Sequence, residues 1–166
     1  KPLYFETGQG TLGNRRPLLC IAARHYDYNH LEMTMSESNL ATVRRLYGFI
    51  AEDNFEEANK MMAEDVVFSE SMDLPYGGEY HGIEGLENLM GRIAAKAKLS
   101  VARVDYLSEA ESADPVVVHV VARYVSHATG EEVLADVVEL VSVRDGRIAA
   151  IDIYCKNPSV IAALWR

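Results

Sequence analysis

A glutamate inside an apolar strand pattern is the first residue whose surroundings suggest chemistry. Residues Val133–Val143 alternate with a period of two, so the odd-numbered residues share one face of a strand. Glu139 is the only charged residue among five apolar residues on that face. Burial raises the pKa of a carboxyl group, so a buried Glu139 could act as a general acid or as a hydrogen-bond donor to an oxyanion. An edge position, or an ion pair with an arginine such as Arg123, is the structural alternative.

A second carboxylate, Glu70, ends the predicted strand Val66–Glu70 just before a loop rich in proline and glycine. Strand ends that meet loops are typical places for the mouth of a pocket. If Glu70 faces Glu139 across a cavity, the two carboxyl groups provide a base and an acid with separated pKa values. A solvated surface position is the alternative for Glu70. For Asp136, on the opposite strand face from Glu139, an interface or edge carboxylate is the favoured interpretation.

Six further residues are weaker candidates, all for substrate binding. Tyr47 lies on the apolar face of a predicted helix, where a buried tyrosine needs a hydrogen-bond partner, although a plain core aromatic is the alternative. Tyr76 and His81 flank a Gly-Gly turn, which is either a lid or a solvated turn. His119 shares a strand face with valines, where a structural histidine is the more common case. The complete set is Tyr47, Tyr76, His81, His119, Arg123 and Tyr154.

Other classes of site find little support. His25 and His30 lie five residues apart without a cysteine or carboxylate at metal-ligand spacing, so we expect no metal. The sequence has neither a Gly-x-Ser-x-Gly elbow nor a Gly-x-Gly-x-x-Gly fingerprint after a strand, and we expect no cofactor. Cys155 stands beside Lys156 and could be a reactive thiol, but a small apolar core residue is the favoured interpretation.

The elements that must position these residues change from helical to strand-like along the chain. A helix capped by Ser36 or Ser38, a short helix from Asn54 through Ala63 and a third helix at residues 83–96 surround the first strand. Runs rich in β-branched residues then predict four strands, and a short helix follows Asn157. These strands are Ser100–Leu107, Val116–Ser126, Val133–Val143 and Arg147–Tyr154. The pattern predicts an α+β fold with three N-terminal helices packed on one face of a curved antiparallel sheet.

Length and charge limit the classes of function. The chain has 166 residues and a net charge of −9, and a single domain accommodates this length. No run of lysine and arginine is present that would build a phosphate-binding surface, so a nucleic-acid partner is not expected. No apolar run reaches the ~20 residues that span a membrane, and no membrane partner is expected. Two cysteines form no disulfide framework, which favours the cytoplasm.

The first 35 residues differ from the remainder of the chain. Three glycines and Pro17 interrupt them, and no long helical or strand period is present. We therefore predict an N-terminal extension at residues 1–35 and a folded domain at residues 36–166, with the natural fold beginning near Met35.

Three segments of the predicted domain resemble the nuclear-transport-factor-2-like (NTF2-like) superfamily, in particular its bacterial SnoaL-like branch, which includes polyketide cyclases. They are Ala63-Glu64-Asp65-Val66-Val67-Phe68, the nine residues Leu74-Pro75-Tyr76-Gly77-Gly78-Glu79-Tyr80-His81-Gly82, and Val143-Arg144-Asp145-Gly146-Arg147-Ile148. The resemblance extends over residues 38–165. It implies a cone-shaped α+β barrel, in which a curved antiparallel sheet wraps three helices around a deep apolar pocket, and frequent dimerisation through the sheet.

The resemblance also implies roles for particular residues. Glu70 stands where ketosteroid-isomerase-like members have their general base, and Glu139 where isomerases and cyclases have an acid or oxyanion donor. The isomerase tyrosine falls on Leu46, one residue from Tyr47. Members similar to limonene-epoxide hydrolase have an Arg-x-Asp pair, but Arg123 is followed by Tyr-Val in this chain, so epoxide hydrolysis loses support.

Three functions follow as hypotheses. The first is a small cofactor-independent enzyme of isomerase or cyclase type acting on an apolar carbonyl compound, with Glu70 removing a proton α to the carbonyl and protonated Glu139 binding the enolate oxygen. The second is a non-catalytic module that binds a small apolar ligand. Epoxide hydrolase or dehydratase chemistry is the third.

Apolar residues on both faces of the predicted strands indicate a partner for the sheet. On the strand Val116–Ser126 one face carries Val117, Val121 and Val125, and the other carries Val116, Val118, Val120, Ala122 and Tyr124. Three helices can cover only one of these faces. An exposed apolar face of this size is unusual in monomers. We therefore expect a homodimer through the sheet with an interface above roughly 1,000 Å². Coverage of this face by the N-terminal extension is the alternative.

Overall fold

The structure, a computed structural model, describes residues 37–165, which form an α+β fold with one six-stranded sheet. Its elements in chain order are α1 (Asn39–Ala51), α2 (Phe55–Lys60), β1 (Met62–Glu70), β2 (Gly78–His81), α3 (Gly82–Ala94), β3 (Ala97–Tyr106), β4 (Val116–Ser126), β5 (Glu132–Arg144), β6 (Arg147–Cys155) and α4 (Pro158–Ala163). The predicted extension at residues 1–35 lies outside the described residues, so the domain boundary stays a prediction.

Side-chain caps start the first two helices. The Ser38 hydroxyl accepts a hydrogen bond from the backbone N–H of Ala41 at 3.1 Å, which decides between the two serines considered as the cap of α1. The Asn54 side chain accepts from the backbone N–H of Glu57 at 3.4 Å at the start of α2. Helix α2 ends at Lys60 rather than at Ala63, because β1 already begins at Met62.

The strand order is β2-β1-β6-β5-β4-β3. Strands β3 to β6 form the expected antiparallel meander. Strand β1 pairs in parallel with β6, so the prediction of an antiparallel sheet is wrong for this pair. The short strand β2, which follows the predicted Gly-Gly turn and was not predicted from the sequence, pairs antiparallel with β1. Its four residues are too few to show a period of two, which explains why the sequence pattern did not reveal it.

The two faces of the sheet have different surroundings. We call inner the face that carries Val118 of β4 and Glu139 of β5, which pair directly, and outer the opposite face. Alternate residues of β4, from Val116 to Ser126, are buried on the inner face and join one apolar core with α1, α3 and α4. The outer face carries apolar side chains that remain exposed, including Leu134 (57% exposed) and Tyr154 (54% exposed).

No helix within residues 37–165 is long and apolar enough to cross a membrane.

Candidate active site

A cavity of about 430 Å³ lies between the helices and the inner face of the sheet. All four helices and every strand except β2 contribute to its walls, which are mostly apolar. Its volume is in the range of small-molecule sites, which typically combine an apolar lining with a few polar groups. The polar side chains of the lining are those of Tyr47, Asn59, Glu70, Tyr76, Glu87, Tyr124, Glu139 and Cys155.

Strand register places both candidate carboxylates on the same side of the sheet. Ile153 of β6 pairs with Glu70 of β1 on one side and with Glu139 of β5 on the other. Residues directly opposite one another in neighbouring strands point to the same face. The two glutamates are thus separated by two strand spacings, about 10 Å between backbones, and their side chains both line the cavity. Both predicted carboxyl groups therefore line one cavity, and their roles in it stay a prediction.

Glu139 has a hydrogen-bond donor in the cavity wall. The Tyr47 hydroxyl, from α1, donates a short hydrogen bond to Oε2 of Glu139. Burial raises the pKa of Glu139 above its ordinary value, and the bond from Tyr47 opposes this shift because it stabilises the carboxylate. The same burial, together with the negative charge of Glu139, raises the pKa of Tyr47, so this hydroxyl keeps its proton.

Within residues 37–165, Glu70 has no such donor. Its side chain makes no hydrogen bond with any residue in the described range 37–165. Burial, followed by the negative charge of Glu139, raises the pKa of Glu70 to about 8. A pKa of about 8 leaves Glu70 protonated near neutral pH, whereas the pKa of Glu139 is raised by burial and lowered by the hydrogen bond from Tyr47. Two carboxyl groups with different surroundings therefore line the same apolar space, and such a pair can provide an acid and a base.

A hydrogen-bonded tyrosine pair forms another part of the wall. The hydroxyls of Tyr76 and Tyr124 lie 2.8 Å apart, and both side chains are buried. The ring of Trp165 packs on Tyr76 with 5.4 Å between centroids. The Tyr80 hydroxyl donates to the backbone carbonyl of Tyr76 at 2.5 Å, which holds the loop before β2 in place. Burial is the main cause of the raised pKa of both paired tyrosines, and the charge of Glu70 adds to it.

The remaining four predicted site residues lie elsewhere. His81 is exposed, with Nε2 at 2.8 Å from the Glu79 carboxylate. His119, Arg123 and Tyr154 are on the outer face. His119 and Arg123 each follow an inner-face residue of β4 by one position, and Tyr154 of β6 pairs with an outer-face residue of β5. On that face His119 contacts two aspartates, Arg123 binds Glu132, and the Tyr154 hydroxyl donates to an aspartate at 2.6 Å. Arg123 is therefore not the partner of Glu139 that the structural alternative required.

Sequence reasoning missed three polar residues of the cavity wall as site candidates, namely Asn59, Glu87 and Tyr124. Tyr124 has the same strand parity as Val118 and Val120, a signal that would have placed it on the inner face. Asn59 lies in the short helix α2, whose six residues are too few to define a face by periodicity. Cys155, weighed above as a thiol, also lines the cavity, and burial raises its pKa, so it is not an activated thiolate.

The histidines considered as metal ligands, His25 and His30, lie outside the described residues. Among residues 37–165 no group of three or more histidine, cysteine, aspartate or glutamate side chains is placed to hold a metal ion.

Glu70 should make stability depend on pH in a predictable direction. Its pKa of about 8 in the folded state exceeds the ordinary 4.5, so the folded state retains a proton that the unfolded state releases between these values. The free energy of unfolding therefore falls as pH rises through this window, by up to about 1.4 kcal/mol per pH unit from this group. Glu70→Gln should remove this loss and become more stable than the wild type by several kcal/mol at pH 8, with little difference at pH 4.5.

Urea unfolding at pH 4.5, 6 and 8 measures this difference. The matched control is Glu64→Gln, an exposed glutamate on the same strand, which should follow the wild-type pH dependence. Parallel pH dependence of the wild type and Glu70→Gln would show that Glu70 ionises normally.

Solved structures with the same architecture give the fold a wider context. An NTF2-like protein from Burkholderia thailandensis E264 superimposes with a TM-score of 0.69 at 17% identity, covering 78% of this chain and 98% of its own. A proposed polyketide cyclase from Xanthomonas campestris pv. campestris gives a TM-score of 0.63 at 19% identity, with 76% and 96% coverage. TerC, co-crystallised with polyporic acid, gives 0.65 at 16% identity, with 77% and 98% coverage. At these identities the likeness concerns the fold.

No curated protein matches the chain. The family model of the SnoaL-like domain does match, over residues 43–151, which is more than half of the sequence and includes Glu70, Glu139 and most of the cavity wall. The chain therefore belongs to the SnoaL-like domain family.

Proposed function

We propose that this protein is a small cofactor-independent enzyme that transfers a proton on an apolar, carbonyl-bearing molecule, as an isomerase or a cyclase does. The observation that carries the proposal is the placement of two carboxyl groups with raised pKa values on one face of the sheet, inside an apolar cavity. Structural carboxylates are usually solvated or paired with cations, whereas Glu70 and Glu139 line a space that a small molecule can fill.

The proposed reaction uses the two carboxyl groups in different protonation states. The Glu139 carboxylate, oriented by Tyr47, takes a proton from the carbon next to the substrate carbonyl. The electron pair of the broken C–H bond forms a carbon–carbon double bond, and the negative charge moves to the carbonyl oxygen. Protonated Glu70 donates a hydrogen bond to that enolate oxygen. Where a carbon–carbon double bond adjoins the reacting carbon, the enolate is conjugated with it, and return of the proton to the far carbon completes an isomerisation. Where the molecule has a second carbonyl, attack of the enolate carbon on that carbonyl closes a ring, and the new alkoxide takes the proton back from Glu139.

This division of roles is the reverse of the one that the family resemblance implied. The reason is the hydrogen bond from Tyr47, which stabilises a negative charge on Glu139. Glu70 receives no comparable bond from residues 37–165, and the proposal therefore assigns the negative charge to Glu139 and the proton to Glu70. Which carboxyl group is ionised decides which one is the base, and the pH dependence described in the Discussion separates the two assignments.

We also propose that the sheet is curved and forms a cone around three helices, because such a form would enclose a deep pocket. The co-crystallisation of TerC with polyporic acid supports the idea that the cavity of this fold receives a small organic molecule.

A non-catalytic binding module is the second candidate. The observation that favours it is that four of the polar groups in the wall are already paired, Tyr47 with Glu139 and Tyr76 with Tyr124. Epoxide hydrolase and dehydratase chemistry have no comparable support.

Exchange of hydrogen for deuterium on a simple ketone tests catalysis without knowledge of the natural substrate. 2-Tetralone has acidic hydrogens beside its carbonyl, and their loss in D₂O is followed by proton NMR. We expect the wild-type protein and the control Glu64→Gln to accelerate exchange above the buffer rate, and Glu139→Gln to be much slower. Binding of 2-tetralone without accelerated exchange would favour the binding module.

We also propose a homodimer through the outer face of the sheet. Leu134 and Tyr154 are large side chains that remain exposed on this face beside partly buried valines, which supports coverage by a second copy. Light scattering at micromolar concentration should give twice 18.5 kDa, and Leu134→Asp should halve the mass. A mass near 18.5 kDa for the wild-type protein would contradict the dimer.

A further inference from the structure

The tyrosine pair in the cavity wall has one hydroxyl hydrogen more than its own hydrogen bond uses. The hydroxyl oxygens of Tyr76 and Tyr124 are 2.8 Å apart, so one hydroxyl donates to the other. The second hydrogen remains, and the structure shows no acceptor for it among residues 37–165. Tyr80, the nearest hydroxyl along the chain, donates to the backbone carbonyl of Tyr76 and accepts from Arg92, so it is already occupied.

Because both hydroxyls are buried, this remaining hydrogen needs an acceptor other than bulk water. Tyr76 is 1% exposed and Tyr124 is 5% exposed, so bulk water does not satisfy their hydroxyls. A buried donor without an acceptor is costly, and such groups are therefore rare unless they serve a purpose. Both tyrosines have raised pKa values, chiefly because of burial, so both hydroxyls remain protonated at neutral pH and can donate.

The position of the pair shows where an acceptor would come from. Both tyrosines line the same cavity as Glu70 and Glu139. Within the strand β4, Tyr124 lies six residues from Val118, whose partner across the sheet is Glu139. The tyrosine pair therefore occupies another point of the wall than the Tyr47–Glu139 hydrogen bond, within range of the charge of Glu70, which raises the pKa of both tyrosines.

We propose that the Tyr76–Tyr124 pair is a second hydrogen-bond donor to the substrate, and that it selects apolar substrates with a second acceptor oxygen remote from the reacting carbonyl. A ketone, ether or phenol oxygen has the required chemistry. The inference rests on the proposed function only in taking this cavity as the substrate site. A molecule with a single oxygen at the carboxyl groups would leave the tyrosine donor unpaired, so the pair discriminates against it.

Two probes of equal shape test this selection. 6-Methoxy-2-tetralone has an ether oxygen at the end of the ring system opposite the ketone, and 6-ethyl-2-tetralone has a methylene group in its place. Trp165 is the only tryptophan of the chain and packs on Tyr76, so its fluorescence reports binding at the pair. The measured quantity is the ratio of the dissociation constants of the ethyl and methoxy compounds, which cancels the general contribution of the ring system.

The double variant Tyr76→Phe/Tyr124→Phe removes both hydroxyls and preserves both rings. We expect the ethyl-to-methoxy ratio to fall roughly fivefold or more from the wild type to this variant. The variant loses the hydrogen bond to the methoxy compound and also the unpaired donor that weakens binding of the ethyl compound. Tyr154→Phe, which removes a hydroxyl on the outer face, should leave the ratio at the wild-type value. The single variants Tyr76→Phe and Tyr124→Phe provide the same readout separately.

The outcomes separate this inference from the proposed function. An unchanged ratio in the double variant would overturn the inference, even if the wild-type protein exchanges tetralone hydrogens. A reduced ratio in a protein that exchanges no hydrogens would support the inference and contradict the enzyme. Thermal unfolding provides a further check, because removal of both hydroxyls should leave the unfolding midpoint near that of the wild type. A large loss of midpoint in the double variant would mark the pair as a structural bond and overturn its role in selection.

Discussion

Glu139→Gln is expected to lower kcat for deuterium exchange on 2-tetralone by about 10²–10⁴-fold, the usual contribution of a general base. Glutamine has nearly the same volume and retains an acceptor for the Tyr47 hydroxyl, so the cavity wall should remain in place. The change removes the group that takes the proton, and KM should therefore change much less than kcat.

The effect of Tyr47→Phe on the pH profile of kcat distinguishes a catalytic base from a residue that only lines the cavity. Tyr47→Phe removes the hydrogen bond that lowers the pKa of Glu139, so this pKa should rise. The acidic limb of the profile of kcat against pH should move to higher pH in Tyr47→Phe and vanish in Glu139→Gln. Exchange by Glu139→Gln at the wild-type rate would contradict the assignment of Glu139 as the base.

Glu70→Ala is expected to lower kcat by about 10²–10³-fold, the usual cost of losing one donor to an oxyanion. Its carboxyl group must be protonated to donate, and its pKa is about 8. The wild-type rate should accordingly fall above pH 8 as this proton is lost. Glu70→Gln retains a donor in its amide group and never ionises, so it should retain more activity than Glu70→Ala and show no fall above pH 8.

The opposite division of roles makes the opposite prediction. If Glu70 were the base, the rate would rise through pH 8, and glutamine would be as damaging as alanine because an amide cannot accept the proton. Exposed Glu64 on the same strand is the matched position, and Glu64→Gln should retain the wild-type profile in both cases. A rate that rises through pH 8 together with an inactive Glu70→Gln would return the role of base to Glu70.

Part of the candidate site can be predicted from local patterns in the sequence. The period of two in β4 and β5 identifies the inner face and isolates Glu139 as its single charge on β5, and the loop after β1 marks Glu70 as a residue at a strand end. The caps at Ser38 and Asn54 are equally local, because each involves residues three positions apart. Such patterns predict an element and its buried face without knowledge of the partner.

The composition of the site depends on contacts between distant segments. Tyr47 and Glu139 are 92 residues apart, and Tyr76 and Tyr124 are 48 apart, so no local pattern indicates that their oxygens meet. Predicted residues such as His119 do not reach the cavity because their strand parity is opposite to that of Val118, and packing against the helices decides which of the two faces is the inner one.

The sequence by itself determined the α+β class, the family resemblance and two carboxylates as candidates, since these follow from periodicity, caps and residue type. Only the tertiary structure decided that β1 adds to the sheet in parallel beside β6, which places Ile153 between Glu70 and Glu139. Only the tertiary structure also showed that the two carboxyl groups differ in their surroundings, because a pKa depends on burial and on the nearest donor, and Tyr47 reaches Glu139 while Glu70 has no donor within the described chain.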